Sequence, residues 1–128
     1  MLKDMLLAGV GGFIGTCGRY VTARICTVLF PGTFSPGTLI VNIIGCLLIG
    51  LICGISERTG VISQAGNLFL VTGICGGFTT FSAFANEIWT MGGKDDVAAA
   101  VSYTAISVVA GIACVWAGRF VAATIWHK

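Results

Sequence analysis

The chain has 128 residues, of which 56% are hydrophobic and only 9% are charged. Average soluble domains carry about 25% charged residues, and so few charges cannot supply the polar surface that a water-soluble fold needs. The formal net charge is +2 and the mean hydropathy is +0.98. We therefore expect a single domain, residues 1–128, that lies in the lipid bilayer and has no nucleic acid partner.

Four segments are predicted to cross the bilayer, at about residues 5–28, 38–56, 62–90 and 97–124. Each of the last three contains a long charge-free stretch, and a spanning helix needs about 20 apolar residues. The first is interrupted by Arg19, whose long side chain can reach the interface from near a helix end. A cleaved signal peptide is the alternative there, although Lys3 is the only early cation and three hydrophobic segments follow.

The positive charges do not favour one orientation in the membrane, although loop Lys and Arg normally set it. With four spans, one side carries Lys3, Arg58, Arg119 and Lys128, and the other carries Arg19, Arg24 and Lys94. Because the two sides are so nearly balanced, we expect insertion in both orientations and an antiparallel homodimer. A single orientation set by weaker signals is the alternative.

Glycine is abundant in the predicted spans, and some glycines are spaced four residues apart. These pairs are Gly11 and Gly15, Gly50 and Gly54, and Gly73 and Gly77. Such spacing lets helix backbones approach closely, either within one chain or between two subunits, and the sequence leaves both alternatives open.

The third predicted span contains the pairs Gly76-Gly77 and Thr79-Thr80 in its middle. Paired glycines lower helix propensity, and a broken helix survives in lipid only where protein or a water-filled cavity satisfies the freed backbone groups. We predict a break here that presents backbone groups to an ion, with an inert kink as the alternative.

Polar and aromatic residues fall at helical neighbour spacing within the spans. The pairs are Thr38 and Asn42, Phe81 and Phe84, and Tyr103 and Ser107. An amide in hydrocarbon is costly unless it is bonded, so Asn42 either joins helices or donates to a permeating anion. Arg19 either attracts anions to an entrance or reaches the interface, and Glu87 is the one acid at the edge of a span.

Three motifs, in order, resemble those of the Fluc/CrcB fluoride channels. Residues 11–20, GGFIGTCGRY, resemble the family's GGxxGxxxRY opening, and residues 37–45, GTLIVNIIG, resemble its GTLxVNxxG segment. Residues 76–84, GGFTTFSAF, resemble its GGxTTFSTF signature, with Ala83 where the family commonly has Thr. The resemblance covers nearly the whole chain.

The resemblance implies an all-α membrane protein with four transmembrane helices, the third broken mid-membrane. It also implies an antiparallel, dual-topology homodimer with two pores at the subunit interface. The implied function is a fluoride-specific ion channel of the cell inner membrane that passively exports the toxic anion. A structural sodium ion, which is not transported, would lie at the dimer interface.

The resemblance also assigns site residues. Gly76 and Thr79 match the positions whose backbone carbonyls hold the sodium ion, and Phe81 and Phe84 match the pore phenylalanines. The remaining matches are Asn42 as the pore asparagine, Thr38, Tyr103 and Ser107 in the polar lining, and Arg19 and Glu87 at the vestibule or aqueous entrance.

Physical chemistry agrees with these assignments. A purely apolar pore would exclude a small, strongly hydrated anion, whereas a fixed Lys or Arg could hold it too tightly for conduction. Neutral donors and the positive edges of phenyl rings offer contacts of intermediate strength.

A small proton-coupled exporter of the multidrug-resistance type is the main competing function. Such transporters resemble this chain in size but depend on a Glu in the first span, and residues 5–28 contain none. An enzyme is not expected, because the sequence has no nucleophile–base pair and no metal-spaced cluster around its one histidine, His127.

Overall fold

The computed structural model describes residues 1–32, 36–93 and 95–127, and these residues form helices with no β-strand among them. Residues 33–35 of the first loop lie outside the described residues. So do Lys94 and Lys128, two of the cations in the predicted charge balance.

The first two helices are α1 (Leu2–Leu29) and α2 (Gly37–Thr59). Gly60 ends α2 in the left-handed conformation, with φ of 63°, and its N–H donates to the carbonyl of Ser56. A left-handed residue after the last turn is a common helix end, and glycine adopts it without steric cost. Asp96 caps the start of the last helix, α6 (Val97–Ile125), because its carboxylate accepts from the N–H of Ala99 at 3.1 Å.

The third helical region has five parts. They are α3 (Gln64–Asn67), a π-helix (Leu68–Cys75), α4 (Gly76–Phe78), the extended residues Thr79 and Thr80, and α5 (Phe81–Gly92). α1 packs mainly on the π-helix and α4, while α2 packs mainly on α6. Two helix pairs are thereby formed, and the extended residues lie where the third region changes from one pair to the other.

The predicted break is present, and it lies at the threonines rather than the glycines. Gly76 keeps helical angles, with φ of −63° and ψ of −37°. Thr79 and Thr80 have ψ of 159° and 117°, which are extended values. The Thr79 hydroxyl donates back to the Cys75 carbonyl at 2.9 Å, and Thr80 caps α5 by accepting from the N–H of Ala83 at 3.2 Å. Side-chain hydroxyls thus take over backbone hydrogen bonding where the helix stops.

Three stretches are long and apolar enough to cross a membrane, and these are Gly37–Thr59, Gln64–Gly92 and Val97–Ile125. They begin and end within a few residues of the predicted spans. With 28 residues, α1 is also long enough, but Arg19 and its glycines make it less apolar than the others. A fourth crossing by α1 stays a prediction.

The glycine pairs are used for packing within the chain. A methyl group on Gly50 would overlap the carbonyl of Val115, and one on Gly118 would lie 2.6 Å from the amide nitrogen of Leu51. Likewise, a methyl group on Gly73 would lie 2.8 Å from the Cα of Gly11. The sequence left open whether these glycines pack within one chain or between two subunits. These contacts identify close packing inside one subunit.

This packing gives a stability prediction. Replacing Gly50 by Val should force α2 away from α6, because overpacking against a backbone costs about 1–3 kcal/mol or more. Thermal unfolding of the purified protein in detergent measures the effect. Gly9→Val is the matched control, since a side chain at Gly9 meets no atom within 4 Å. Equal transition temperatures for the two variants would contradict the packing described above.

Candidate functional site

The helix break is bound by the side chain of Asn42, from the second turn of α2. The Asn42 amide group donates to the Thr80 carbonyl at 3.0 Å, and its side-chain oxygen accepts from the Thr80 N–H at 2.8 Å. One amide therefore satisfies both backbone groups of a residue that has left the helix. Unpaired, each of these groups would cost about 1–3 kcal/mol in an apolar surrounding. These bonds give Asn42 a role in joining helices, and its second role, as a donor to a permeating anion, stays a prediction.

Arg19 binds the other side of the break. Its Nε donates to the Gly77 carbonyl at 3.1 Å, and the Thr16 hydroxyl donates to the same oxygen at 3.4 Å. Arg19 and Thr16 are three residues apart on α1, so both lie on the face that packs on α4. The guanidinium group is thus partly buried against protein, with part of its surface left for a cavity described below.

The backbone around these two attachments has free carbonyl oxygens, at Gly76 and Thr79, that are suited to a cation. Thr80 gives its N–H to Asn42, so it does not bond the Gly76 carbonyl as it would in a continuous helix. The hydrogen bonds of the described part of the chain include none to the carbonyl oxygens of Gly76 or Thr79. Neutral carbonyl oxygens are ligands for hard cations. Among the described residues, no group of three or more His, Cys, Asp or Glu could hold a metal ion.

The aromatic residues form a row that starts at the break. The ring centroids of Phe81 and Phe84 are 5.8 Å apart, and those of Phe84 and Tyr103 are 5.3 Å apart. The rings are tilted by 54° and 49°, which is between stacked and edge-to-face geometry. Phe84 is buried, whereas Phe81 is 78% exposed. The row therefore begins on the outer surface of the subunit and continues into its interior.

Glu87 lies at the inner end of this row and accepts two hydrogen bonds. The Thr38 hydroxyl donates to one carboxylate oxygen at 2.5 Å, and the Tyr103 hydroxyl donates to the other at 2.6 Å. These bonds join α2, α5 and α6. The expected place of Glu87 at an aqueous entrance stays a prediction, and in this structure the residue is half-buried, with its carboxylate between two hydroxyl donors.

Ser107 lies one turn after Tyr103 on α6. Its hydroxyl oxygen is buried, and it makes no hydrogen bond within the described residues. Buried polar atoms are paired in the great majority of cases, so an unpaired hydroxyl calls for an explanation. A hydroxyl of this kind can bind a ligand without first breaking a bond within the protein.

A cavity of about 280 Å³ lies between Arg19 and the break. The cation of Arg19 shares this space with four hydroxyl-bearing residues, Thr16, Tyr20, Thr38 and Thr80. The cavity is open to the outside and has the charge and donors that an anion prefers.

The structure brings most of the candidate residues together in one region. Three of the groups that organise it are not predicted from the sequence, namely the Thr16 hydroxyl, the Gly77 carbonyl and the Thr80 backbone. The spacing of Thr16 and Arg19 could have indicated a shared face. Which helix packs on that face, and which carbonyl Asn42 binds, both depend on how the helices pack together. The local sequence around these residues does not predict either.

The fold and site define a class of protein: a small, multi-pass helical membrane protein whose third helix is broken between side-chain hydrogen bonds. Residues 6–119 match the family described as "CrcB-like protein, Camphor Resistance (CrcB)". The chain belongs to this family.

Several relatives bear the name "Fluoride-specific ion channel FluC". The one from Flavobacterium psychrophilum is 37% identical over 94% of this chain and 98% of its own. The one from Chlorobaculum tepidum is 39% identical over 99% of each chain. The one from Chlorobium phaeobacteroides strain BS1 is 40% identical over 89% of this chain and 88% of its own.

The hydrogen bonds of Asn42 give a second stability prediction. Asn42→Ala removes both bonds and leaves the Thr80 N–H and carbonyl without partners, so the free energy of unfolding should fall by about 2–4 kcal/mol. Asn67→Ala is the matched control, because Asn67 donates a single bond, to Ser56 at 2.7 Å. Thermal unfolding in detergent compares the two, and an equal loss in both variants would contradict the role of Asn42 at the break.

Proposed function

We propose that the protein is a fluoride-specific ion channel that passively exports fluoride across the cell inner membrane. The observation that carries this proposal is the row of rings and hydroxyls from Phe81 to Ser107, which contains no Lys or Arg and starts at the helix break. Family membership and the printed names of the relatives support the choice of ion.

The channel is proposed to be an antiparallel homodimer, in which the two subunits cross the membrane in opposite orientations. Phe81 is 78% exposed beside the buried Phe84, so a second copy that covers this surface would complete the row. Phe81 would then line a pore between subunits. The near balance of Lys and Arg on the two sides supports insertion in both directions.

The proposed path begins at the cavity beside Arg19, where the positive charge concentrates anions. From there an anion meets ring edges, each contributing about 0.5–1 kcal/mol, which is too little to replace its water alone. Hydroxyl donors must supply the rest. Ser107 has an unpaired hydroxyl, whereas Thr38 and Tyr103 donate to Glu87. An arriving fluoride would therefore compete with the Glu87 carboxylate for these two hydroxyls.

A sodium ion is proposed to bind the carbonyls of Gly76 and Thr79 and the same pair from a second copy. The carbonyls of Gly76 and Thr79, on the two sides of Gly77 and Phe78, are free to bind a cation, which supports this proposal. Arg19 and Asn42 hold the backbone around them. Four carbonyl dipoles facing one another would repel, and a bound cation would remove that repulsion. The ion would hold the subunits together and would not travel through the pore.

A proton-coupled exporter is the second candidate, and the position of Glu87 favours it. Glu87 is a half-buried acid within the membrane-length stretch Gln64–Gly92, and intramembrane carboxylates are typical of proton relays. The two functions differ in their driving force. Flux that continues without a proton gradient favours the channel, and flux that stops when the gradient is removed favours the exporter.

The central test is fluoride efflux from liposomes that contain the purified protein. We expect rapid fluoride efflux without a proton gradient and little efflux of chloride. Phe81→Ile should lower the fluoride rate by about tenfold, because loss of ring-edge contacts in both subunits removes about 1–2 kcal/mol.

Phe13→Ile is the matched control for this test, since Phe13 is also largely exposed, at 71%, but lies on α1 away from the row. The control variant should conduct as the unchanged protein does. An absence of fluoride efflux would refute the channel itself, whereas equal rates for the two variants would refute only the role of Phe81.

Removal of sodium provides a separate measurement. When sodium is replaced by N-methylglucamine, the dimer should unfold at a lower temperature, because a ligand present at 100 times its Kd contributes about 2.7 kcal/mol. Subunit association and thermal unfolding are measured together at constant ionic strength. Identical behaviour with both cations would rule out the proposed site without affecting the pore assignment.

A further inference from the structure

The guanidinium group of Arg19 is attached at one of its three nitrogens, beside the cavity of about 280 Å³. Its Nε donates to the Gly77 carbonyl at 3.1 Å, and this is the one hydrogen bond that the side chain makes within the described residues. The ion pairs of the described part of the chain do not include Arg19. A guanidinium group is planar and rigid, so the bond at Nε also restricts the plane of the two terminal nitrogens. Both terminal nitrogens are left as donors for a molecule that enters the cavity.

Two of the hydroxyl groups that line the cavity already donate within the protein. Thr16 donates to the same carbonyl as Arg19, and Thr38 donates to the Glu87 carboxylate. A hydrogen bond from a charged donor to an anion is about twice as strong as one between neutral groups. The terminal nitrogens of Arg19 are therefore the strongest donors that the cavity offers to a ligand.

The charge of the lining favours an anion with a single negative charge. Arg19 is the one charged residue among the described residues that line the cavity. A cation would face this positive charge with no carboxylate on the cavity wall to offset it. A divalent anion such as sulfate would keep one of its charges uncompensated in a partly enclosed space, which is costly.

The size and the donor geometry favour a planar oxyanion. A cavity of about 280 Å³ is several times the roughly 30 Å³ that one water molecule occupies, so it admits an anion much larger than fluoride. The two terminal nitrogens lie side by side and can form two parallel hydrogen bonds with the two oxygens of a carboxylate. A spherical halide has a single accepting centre, so it cannot accept both bonds in straight geometry.

We propose that this cavity binds a small, planar, monovalent oxyanion of the formate, bicarbonate or nitrate type through the terminal nitrogens of Arg19. The cavity is also the proposed entrance for fluoride, so a bound oxyanion would block that entrance. The blocking role rests on the proposed function, whereas the binding site itself does not. The protein would thus conduct less fluoride where such anions are abundant.

Solution NMR of the full-length protein in detergent micelles, with ¹⁵N-labelled arginine, tests the site. The Nε–H signal of Arg19 is identified as the one that Arg19→Lys removes. Sodium formate should shift this signal at about tenfold lower concentration than sodium chloride, because chloride cannot accept both parallel bonds. Arg24 is the internal control, since it is exposed on the same helix and does not line the cavity. Its signal should respond equally weakly to both salts.

A variant that fills the cavity tests the site without removing Arg19. Ala23 lines the cavity one turn after Arg19, so Ala23→Phe should abolish the response to formate. The Arg19 Nε–H signal should remain, which shows that its bond to Gly77 is intact. Val28→Phe is the matched control, because Val28 is 72% exposed on the same helix and does not line the cavity. Equal responses to formate and chloride, or an unchanged formate response in Ala23→Phe, would overturn the proposed site.

Fluoride efflux from liposomes measures the blocking role. Sodium formate is placed at equal concentration on both sides, with sodium chloride as the reference. At twice the Kd of formate about two thirds of the sites are filled, so efflux should fall about threefold. Unchanged efflux at that concentration would overturn the blocking role. Protein that binds formate but conducts no fluoride would refute the proposed channel and leave the binding site standing.

Discussion

Two hydrogen bonds between Asn42 and Thr80 are the constraint on which the rest of the site depends. A helix can stop inside a membrane only if its freed backbone groups find partners, and one amide provides both for Thr80. With the break fixed there, α5 starts with Phe81 as its first residue. The Gly76 carbonyl is left without a helical partner, and Phe84 and Glu87 are directed towards α6. The ring row, the Glu87 contacts and the freed carbonyls all follow from this one attachment.

Two charged groups near the break have different surroundings. Arg19 and Thr16 donate to the Gly77 carbonyl beside an open cavity, so positive charge is close to the backbone without entering the ring row. Thr38, which also lines this cavity, and Tyr103 donate to Glu87, so two hydroxyl donors stabilise a half-buried carboxylate. Under the proposed function, an anion would be attracted to the cavity and would compete with this carboxylate for the hydroxyl donors further in.

Close backbone packing makes this arrangement rigid. Gly73 lies against Gly11, and Gly50 and Gly118 let α2 and α6 approach until backbone atoms touch. In a lipid surrounding, helix association depends on such contacts because lipid tails are as apolar as the side chains. The glycines therefore set the distances between α1, the break and α6, and these distances position the residues of the site.

The sequence by itself determined the membrane class, the helix bounds to within a few residues and the presence of a break in the third helical region. Hydropathy and turn residues are local properties, so these features can be predicted without knowing any contact. The motifs also identified Asn42, Phe81 and Phe84 as residues of interest, and Glu87 was identified as an acid at the edge of a span. Only the tertiary structure decided that the break lies at Thr79 and Thr80, that residues 68–75 form a π-helix, and that the glycine pairs pack within one chain. It also decided that Asn42 binds backbone and that Glu87 accepts from Thr38 and Tyr103. These outcomes depend on which helices lie side by side. The hydrogen bond between Asn42 and Thr80 joins residues 38 positions apart, so the local sequence cannot predict it.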